Sequence, residues 1–122
     1  MARPGTAGIA PAEGQEAIDT DAMEAQAGKA SSLLTAMSIE RRLMILCQLV
    51  HQERSVNELT ELLGAAQSTI SQHLALLRRQ GLVKARREAQ TQFYSLAGDE
   101  ARAILETLQF LYCRPKQRMP ER

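Results

Sequence analysis

The sequence predicts a mainly α-helical domain: a winged helix-turn-helix with five helices and a two-stranded β-hairpin, assembled as a homodimer. Three observations predict it. Ser55 and Glu58 have the spacing of a capping box, which begins a helix. A second helix over 67–80 follows after about three residues, which is the spacing of a helix-turn-helix. After Gly81 the apolar period changes from 3.6 residues to 2 over 83–96, as a hairpin requires.

Apolar residues at helical spacing define the buried face of the two central helices. Gly64 suits the end of the first helix, because glycine tolerates a positive φ. Gly81 ends the second, and Leu82 is placed to complete a Schellman motif. The face consists of Leu59, Leu62 and Leu63 in the first helix and Ile70, Leu74 and Leu77 in the second.

The segments before the motif divide into a tail and two helices. Residues 1–18 are rich in Ala, Gly and Pro without a period, and we expect a disordered tail. The folded domain should cover 19–114, with helices over 19–37 and 38–52 and with Arg41 and Arg42 on the solvent side. The inward faces are predicted to be Met23, Ala27, Ala30, Leu34 and Met37, and then Ile39, Leu43, Leu46, Cys47 and Val50.

The segments after the motif are the hairpin, a last helix and a short tail. The hairpin strands are predicted over 83–87 and 91–96, joined by residues 88–90. The last helix should cover 99–113 and end near Arg114, because the residue before a proline is biased away from helix. Residues 115–122 form a short basic tail. The last helix carries one apolar stripe, widened by Leu105 and Tyr112: Ala101, Ile104, Leu108 and Leu111.

Charge is unevenly distributed although the net charge is only +1. Residues 1–30 contain five acids and two bases, whereas residues 65–97 contain five bases and one acid. The positive charge therefore coincides with the helix-turn-helix and the hairpin, as in nucleic-acid-binding domains. No apolar run approaches the length of a membrane span and no signal-peptide core is present, so we expect a cytoplasmic protein with its two cysteines as thiols.

The exposed face of the second central helix indicates DNA reading. Ser68, Thr69, Gln72 and Ala75 point away from the buried stripe and are small or hydrogen-bonding. A helix that only has to remain solvated usually carries Glu and Lys there, whereas small polar side chains let a helix approach base edges. An ordinary pair of packed helices is the alternative.

The hairpin is basic and follows directly on this helix. Lys84, Arg86 and Arg87 lie on its first strand. Three bases on a hairpin are usually just a solvated face. After a helix of this kind, they indicate a wing that contacts phosphates or an adjacent minor groove. Apolar residues on the first and last helices lack partners within one chain, which favours a homodimer seam between these helices and their symmetry mates.

Five stretches of the sequence carry a family resemblance: ERRLMILCQL (40–49), SVNEL (55–59), QSTISQHLALLRRQGLV (67–83), RREAQTQFYSL (86–96) and LYC (111–113). Over residues 31–113 the chain resembles the ArsR family of winged-helix repressors, most of all its sulfide- and persulfide-responsive branch. That branch also includes regulators of virulence and biofilm genes. The resemblance implies that Gln67, Ser68, Thr69, Ser71 and Gln72 read the major groove, with Arg86, Arg87 and Gln90 in the wing.

Three departures from family patterns bear on function. Arsenic- and cadmium-sensing members carry cysteines on the helix that begins here at Ser55, where this chain has none. Zinc-sensing members use Asp and His on the last helix, which has no histidine here. His51 and His73, on separate helices, cannot form a three-ligand site unaided, so we expect no metal site and no cofactor. The third departure is Ala66, where relatives often carry a capping Ser, so the recognition helix lacks an N-cap side chain.

His73 and the two cysteines have more than one interpretation. His73 lies at the edge of the apolar stripe. It is interpreted either as a partly buried histidine that is hydrogen-bonded to the neighbouring helix or as a contact to the DNA backbone. Cys47 lies on an inward helix face, where a cysteine is most often a small hydrophobe. Cys113 lies off the stripe at a helix end, where the helix dipole disfavours a thiolate and Arg114 and Lys116 favour it. The resemblance implies that the two cysteines meet and react with sulfane sulfur, forming a disulfide or polysulfide bridge.

The sequence thus predicts a homodimeric repressor that binds double-stranded operator DNA. By resemblance, reactive sulfur species are its inducer and sulfide-detoxification genes its targets. A general oxidant sensor with the same thiols is the main alternative, as is a virulence or biofilm regulator. A small thiol enzyme would need a CxxC pair or a Gly-rich cofactor loop, and neither is present. An interaction module that no longer binds DNA is a further alternative.

Overall fold

The computed structural model of the protein describes residues 17–113, so nearly all of both predicted tails lies outside the described residues. The described residues divide into two compact units, 17–32 and 33–113. The described elements are, in order, α1 (Thr20–Met37), α2 (Glu40–Gln48), β1 (Arg54–Ser55), α3 (Val56–Leu63), α4 (Gln67–Arg79), β2 (Val83–Glu88), β3 (Thr91–Leu96) and α5 (Asp99–Tyr112). The predicted winged helix-turn-helix is confirmed, with α3 and α4 as its two helices.

The core of the second unit is a cluster of aliphatic side chains from every helix and both long strands. Each large aliphatic side chain that is fully buried stabilises the fold by about 1.5–3 kcal/mol relative to leaving it in water. The side chains with no more than 1% of their surface exposed are Ile45, Leu46, Leu49, Leu59, Ile70, Leu74, Leu77 and Leu105. The predicted stripe of α4 is therefore confirmed in full. Leu62 of the predicted α3 face is instead 49% exposed.

Helix α2 is shorter than predicted at both ends. Ile39 stands before its first turn with φ −82° and ψ 124° and is 45% exposed, so the prediction that it faces inward is wrong. At the other end the amides of Leu49 and Val50 donate to carbonyls three residues earlier, at 3.0 and 3.3 Å. Such tightened bonds end an α-helix before the following turn.

The prediction that Arg41 and Arg42 lie on the solvent side is also wrong, because both are half-buried. Nη1 of Arg41 donates to the carbonyl of Leu63 at 3.4 Å and so satisfies an end carbonyl of α3. Nε of Arg42 is buried without a hydrogen-bond partner among the described residues. Sequence periodicity places both arginines off the buried stripe, but it cannot show that the end of α3 packs there.

The hairpin is part of a three-stranded antiparallel sheet of order β1-β3-β2. The third strand, β1, was not predicted, because two residues carry no periodic pattern. It pairs with β3 through Arg54 opposite Tyr94 and Ser55 opposite Phe93. The predicted three-residue connection over 88–90 is shorter, because Glu88 pairs with Thr91 and leaves only residues 89 and 90 in the turn.

Helices α1 and α5 both leave apolar side chains exposed. Helix α1 buries Ala36 and Met37, but Leu34 on its predicted stripe is 54% exposed. Helix α5 buries Ala101 and Leu105, whereas Leu111 at the end of its predicted stripe is 55% exposed. Both buried residues belong to the predicted face, and Ile104 of the predicted stripe is partly buried against the core, so this face is confirmed over the first half of α5.

Candidate nucleic-acid interface

The start of α3 is held by the predicted capping box. The amide of Glu58 donates to Oγ of Ser55 at 3.1 Å, and the amide of Ser55 donates to Oε1 of Glu58 at 2.9 Å. At the other end Gly64 has φ +65°, and its amide donates to the carbonyl of Thr60 at 2.8 Å. Both ends of this short helix are therefore determined by local sequence.

Helix α4 is docked on the core by Ile70, Leu74 and Leu77 and ends where the amide of Leu82 donates to the carbonyl of Leu77 at 2.9 Å. Gly81, with φ +79°, allows this predicted Schellman arrangement. The opposite face of α4 is a small polar surface. Of the predicted reading residues, Thr69 is half-buried and the others are exposed: Gln67, Ser68, Ser71 and Gln72.

The beginning of α4 has no side-chain cap. Ala66 is the N-cap residue, with φ −65° and ψ 145°, and within residues 17–113 no side-chain hydrogen bond caps the first turn of the helix. The predicted lack of a cap is thus confirmed. The first amides of a helix carry partial positive charge, so the uncapped end lies beside the polar surface as a site of positive potential.

His73 lies half-buried behind this surface. Burial lowers the pKa of His73, and the positive charges of Arg42 and Arg41 lower it further. The imidazole is therefore neutral at pH 7 and can contribute a hydrogen bond but not a charge.

The wing presents its basic residues unequally. Arg87 and Gln90 are exposed, and Arg87 lies opposite Gln92 on β3. Arg86 is also exposed, but its Nε donates to both carboxylate oxygens of Glu53, at 2.9 and 3.1 Å. Its Nη1 donates to Oε1 of Glu88 at 3.1 Å. Sequence reasoning missed Glu53, because nothing in its neighbourhood marks a partner that lies 33 positions later.

The two cysteines are free thiols on different helices. Cys47 is half-buried within α2, and Cys113 is exposed as the C-cap residue of α5. Burial raises the pKa of Cys47, and the negative charge of Cys113 raises it further. The fold therefore brings the two thiols within electrostatic reach of each other. The cations that we expected beside Cys113, Arg114 and Lys116, lie outside the described residues.

Comparison with known proteins decides the family. Residues 40–85 match the family described as bacterial regulatory protein, ArsR family. The chain is 54% identical over 95 residues to the transcriptional activator HlyU of Vibrio cholerae, a match that covers 78% of this chain and 88% of that relative. The chain belongs to the ArsR family.

Further relatives support the assignment of this chain to the ArsR family. The structure of reduced HlyU from Vibrio cholerae has a TM-score of 0.74 at 53% identity and covers 77% of this chain and 99% of its own. The biofilm growth-associated repressor of Agrobacterium fabrum is 40% identical over 102 residues, covering 84% of this chain and 87% of the relative. A homodimeric winged helix-turn-helix DNA-binding domain, Mb0332 of Mycobacterium bovis, has a TM-score of 0.64 at 28% identity and covers 87% of this chain and 96% of its own.

As an ArsR-family protein, the chain is a DNA-binding transcriptional regulator and not an enzyme. Within residues 17–113, no three His, Cys, Asp or Glu side chains are grouped so that they could hold a metal ion. None of the helices in this described part is both long and apolar enough to span a membrane.

Proposed function

We propose that this ArsR-family regulator is a cytoplasmic repressor that binds operator DNA as a homodimer and is released when reactive sulfur species join Cys47 to Cys113. The main observation in support of a DNA-binding surface is the polar face of α4, which lies opposite three fully buried residues. A helix docked in this way is rigid, and its exposed side chains are small enough to enter a major groove.

In this proposal the exposed residues of α4 read base edges. Gln72 can pair with adenine, and the hydroxyl of Thr69 can donate to or accept from several bases. His73, neutral at pH 7, approaches the DNA backbone as a hydrogen-bonding group only. The helix that carries these side chains is packed on the core through its opposite face. The residues proposed to contact bases are Gln67, Ser68, Thr69, Ser71 and Gln72.

The wing contributes affinity that does not depend on sequence. Arg86, Arg87 and Gln90 lie on or beside the tip of the β2–β3 hairpin, where a wing meets the phosphate backbone next to the recognition helix. Contacts to phosphates release counterions, so their loss is seen as a weaker dependence of binding on salt.

A homodimer accounts for the apolar surface that a single chain leaves exposed. Leu34 on α1 and Leu111 and Tyr112 on α5 are 54%, 55% and 80% exposed. Large side chains of this kind are stabilised when a symmetric partner covers them. The homodimeric state of Mb0332 supports the same assembly here. A dimer also presents two copies of α4 to successive turns of a palindromic operator.

The switch in this proposal is a sulfur-transfer reaction. The Cys113 thiolate attacks the sulfane sulfur of a persulfide RSSH, the S–S bond breaks, and RSH leaves, so that Cys113 becomes a persulfide. Cys47 then attacks the inner sulfur of that group and displaces hydrogen sulfide. Two thiols and one RSSH thus yield one disulfide, RSH and hydrogen sulfide, with the sulfane sulfur reduced. A second RSSH would add one sulfur to the bridge and release a second RSH.

The placement of the cysteines supports this order of attack. Cys113 is exposed and accessible, whereas Cys47 is half-buried and its raised pKa keeps it mostly protonated at pH 7. A bridge would join α2, which packs on the helix-turn-helix, to α5 at the proposed dimer seam. Binding weakens tenfold if the bridge disfavours the DNA-competent arrangement by about 1.4 kcal/mol.

A general oxidant sensor is the second candidate, because the same two thiols can lose two hydrogens to a peroxide and give a disulfide and two waters. The name of one relative, the biofilm growth-associated repressor of Agrobacterium fabrum, favours biofilm genes as an alternative class of target. The test is fluorescence anisotropy on the promoter of this regulator's own gene, with persulfide, peroxide and metal salts added separately. Release by persulfide at the lowest concentration supports the proposal, whereas release by peroxide first, or by a metal, contradicts the proposed inducer.

A further inference from the structure

Arg86 is the most heavily engaged side chain of the wing. Its Nε donates to both oxygens of Glu53, its Nη2 also bonds to Glu53, and its Nη1 donates to Glu88. The guanidinium carbon lies 5.0 Å from the centroid of the Phe93 ring, which is within cation–π distance. Three of its nitrogen atoms are therefore directed at carboxylates of the same chain.

The Glu53–Arg86 pair crosses the sheet from one outer strand to the other. Glu53 directly precedes β1, and Arg86 belongs to β2. Phe93, on the central strand, is paired with Ser55 on one side and with Arg86 on the other. Since Ser55 is also the N-cap of α3, the ion pair connects the wing to the base of the helix-turn-helix.

Arg86 and its neighbour Arg87 differ in their ion-pair partners. The hydrogen bond from Arg86 lowers the pKa of Glu53, so the carboxylate is ionised and the pair is intact at neutral pH. Arg87 is exposed and has no ion pair within residues 17–113. Because successive strand residues point to opposite faces, the two arginines present their side chains in different directions.

We propose that the Glu53–Arg86 pair, seated on Phe93, is a strut that sets the angle of the wing against α3 and α4, so that among the wing residues named above the phosphate contact is made by Arg87 rather than by Arg86. Glu53 and Arg86 are then positioning residues for DNA binding. The inference rests on the proposed function in one respect, namely that the wing lies against DNA.

The test measures DNA affinity against salt for a matched set of variants. Arg87→Ala should weaken binding and flatten the slope of log K against log salt by about one unit. Glu53→Gln and Arg86→Ala should each weaken binding by about two- to fivefold, the range for an exposed ion pair, and leave the slope unchanged. Glu106→Gln, the loss of one exposed acid on α5, is the charge control. The exchanged pair Glu53→Arg with Arg86→Glu should recover affinity relative to either single change.

Two outcomes of the DNA-binding measurements overturn the strut. One is a flatter slope for Arg86→Ala, equal to that of Arg87→Ala, which identifies Arg86 as a phosphate ligand. The other is tighter binding by Glu53→Gln than by Glu106→Gln, which means that Glu53 masks Arg86. Amide hydrogen exchange of the free protein gives a reading that is independent of DNA: exchange in β2 and β3 should be faster in Glu53→Gln than in the wild type. Unchanged hydrogen exchange in Glu53→Gln contradicts the strut. A wild-type protein that does not bind DNA contradicts the proposed function but not the strut.

Discussion

The negative charge of Cys113 raises the pKa of Cys47, although the two residues lie at the end of the last helix and within the second. Burial is the larger cause of the shift. The interaction means that a negative charge on Cys113 makes Cys47 harder to ionise.

We predict that Cys113→Ser lowers the pKa of Cys47 relative to the wild type, because a hydroxyl carries no negative charge at these pH values. The value should stay above that of a free cysteine, since burial of Cys47 is retained. The measurement is the pH dependence of alkylation at Cys47, followed by intact mass. The rate should begin to rise at lower pH in the variant, and an unshifted profile would mean that the thiols do not interact.

We predict that Thr69→Ala and Gln72→Ala each weaken operator binding by about 1–3 kcal/mol and relax the base preference at one position. Both side chains lie on the face of α4 opposite its fully buried residues. Gln80→Ala is a matched control, because Gln80 is exposed at the far end of the same helix. Full affinity in a folded Gln72→Ala variant would place the reading surface elsewhere.

We predict a footprint with two half-sites whose centres lie about 34–36 Å apart, because the two recognition helices of a dimer must enter successive major grooves. Hydroxyl-radical footprinting on the operator measures this spacing. Substituting Leu111 with Glu should reduce the footprint to weak or single half-site protection. Protection of one half-site by the wild type would argue against a dimer on DNA.

We predict that Ala66→Ser stabilises the protein by about 0.5–2 kcal/mol, because serine at the N-cap accepts a hydrogen bond from the first turn of α4. Urea unfolding measures the change in the free energy of unfolding. Ala75→Ser is the matched control on the same helix, where serine is slightly less favourable than alanine and should be neutral to mildly destabilising. Equal changes in both variants would mean that the cap position has been wrongly placed.

The sequence predicts those parts of the fold that local chemistry determines. The capping box at Ser55, the glycine ends at Gly64 and Gly81, and the buried stripe of α4 all depend on residues within a few positions of one another. The register of the wing is harder to predict from the sequence. Its turn residue Ala89 adopts φ +57°, a conformation that a glycine or an asparagine usually marks.

The rest depends on contacts between distant segments. Arg41 reaches the end of α3, and Arg86 binds a carboxylate 33 positions away. Sequence identifies each of these as a basic residue but cannot say which acid or carbonyl it meets. Of the candidate site, the reading face was therefore predictable from periodicity, whereas the unequal roles of Arg86 and Arg87 required the packed sheet.

The two-thiol switch is tested by a titration of reduced and persulfide-treated protein on labelled operator DNA, with intact mass recorded at each step. The wild type should release DNA as an intramolecular Cys47–Cys113 bridge forms and rebind after dithiothreitol, while Cys47→Ser and Cys113→Ser stay bound throughout. Release without a bridge, or normal release by Cys113→Ser, would contradict the two-thiol switch.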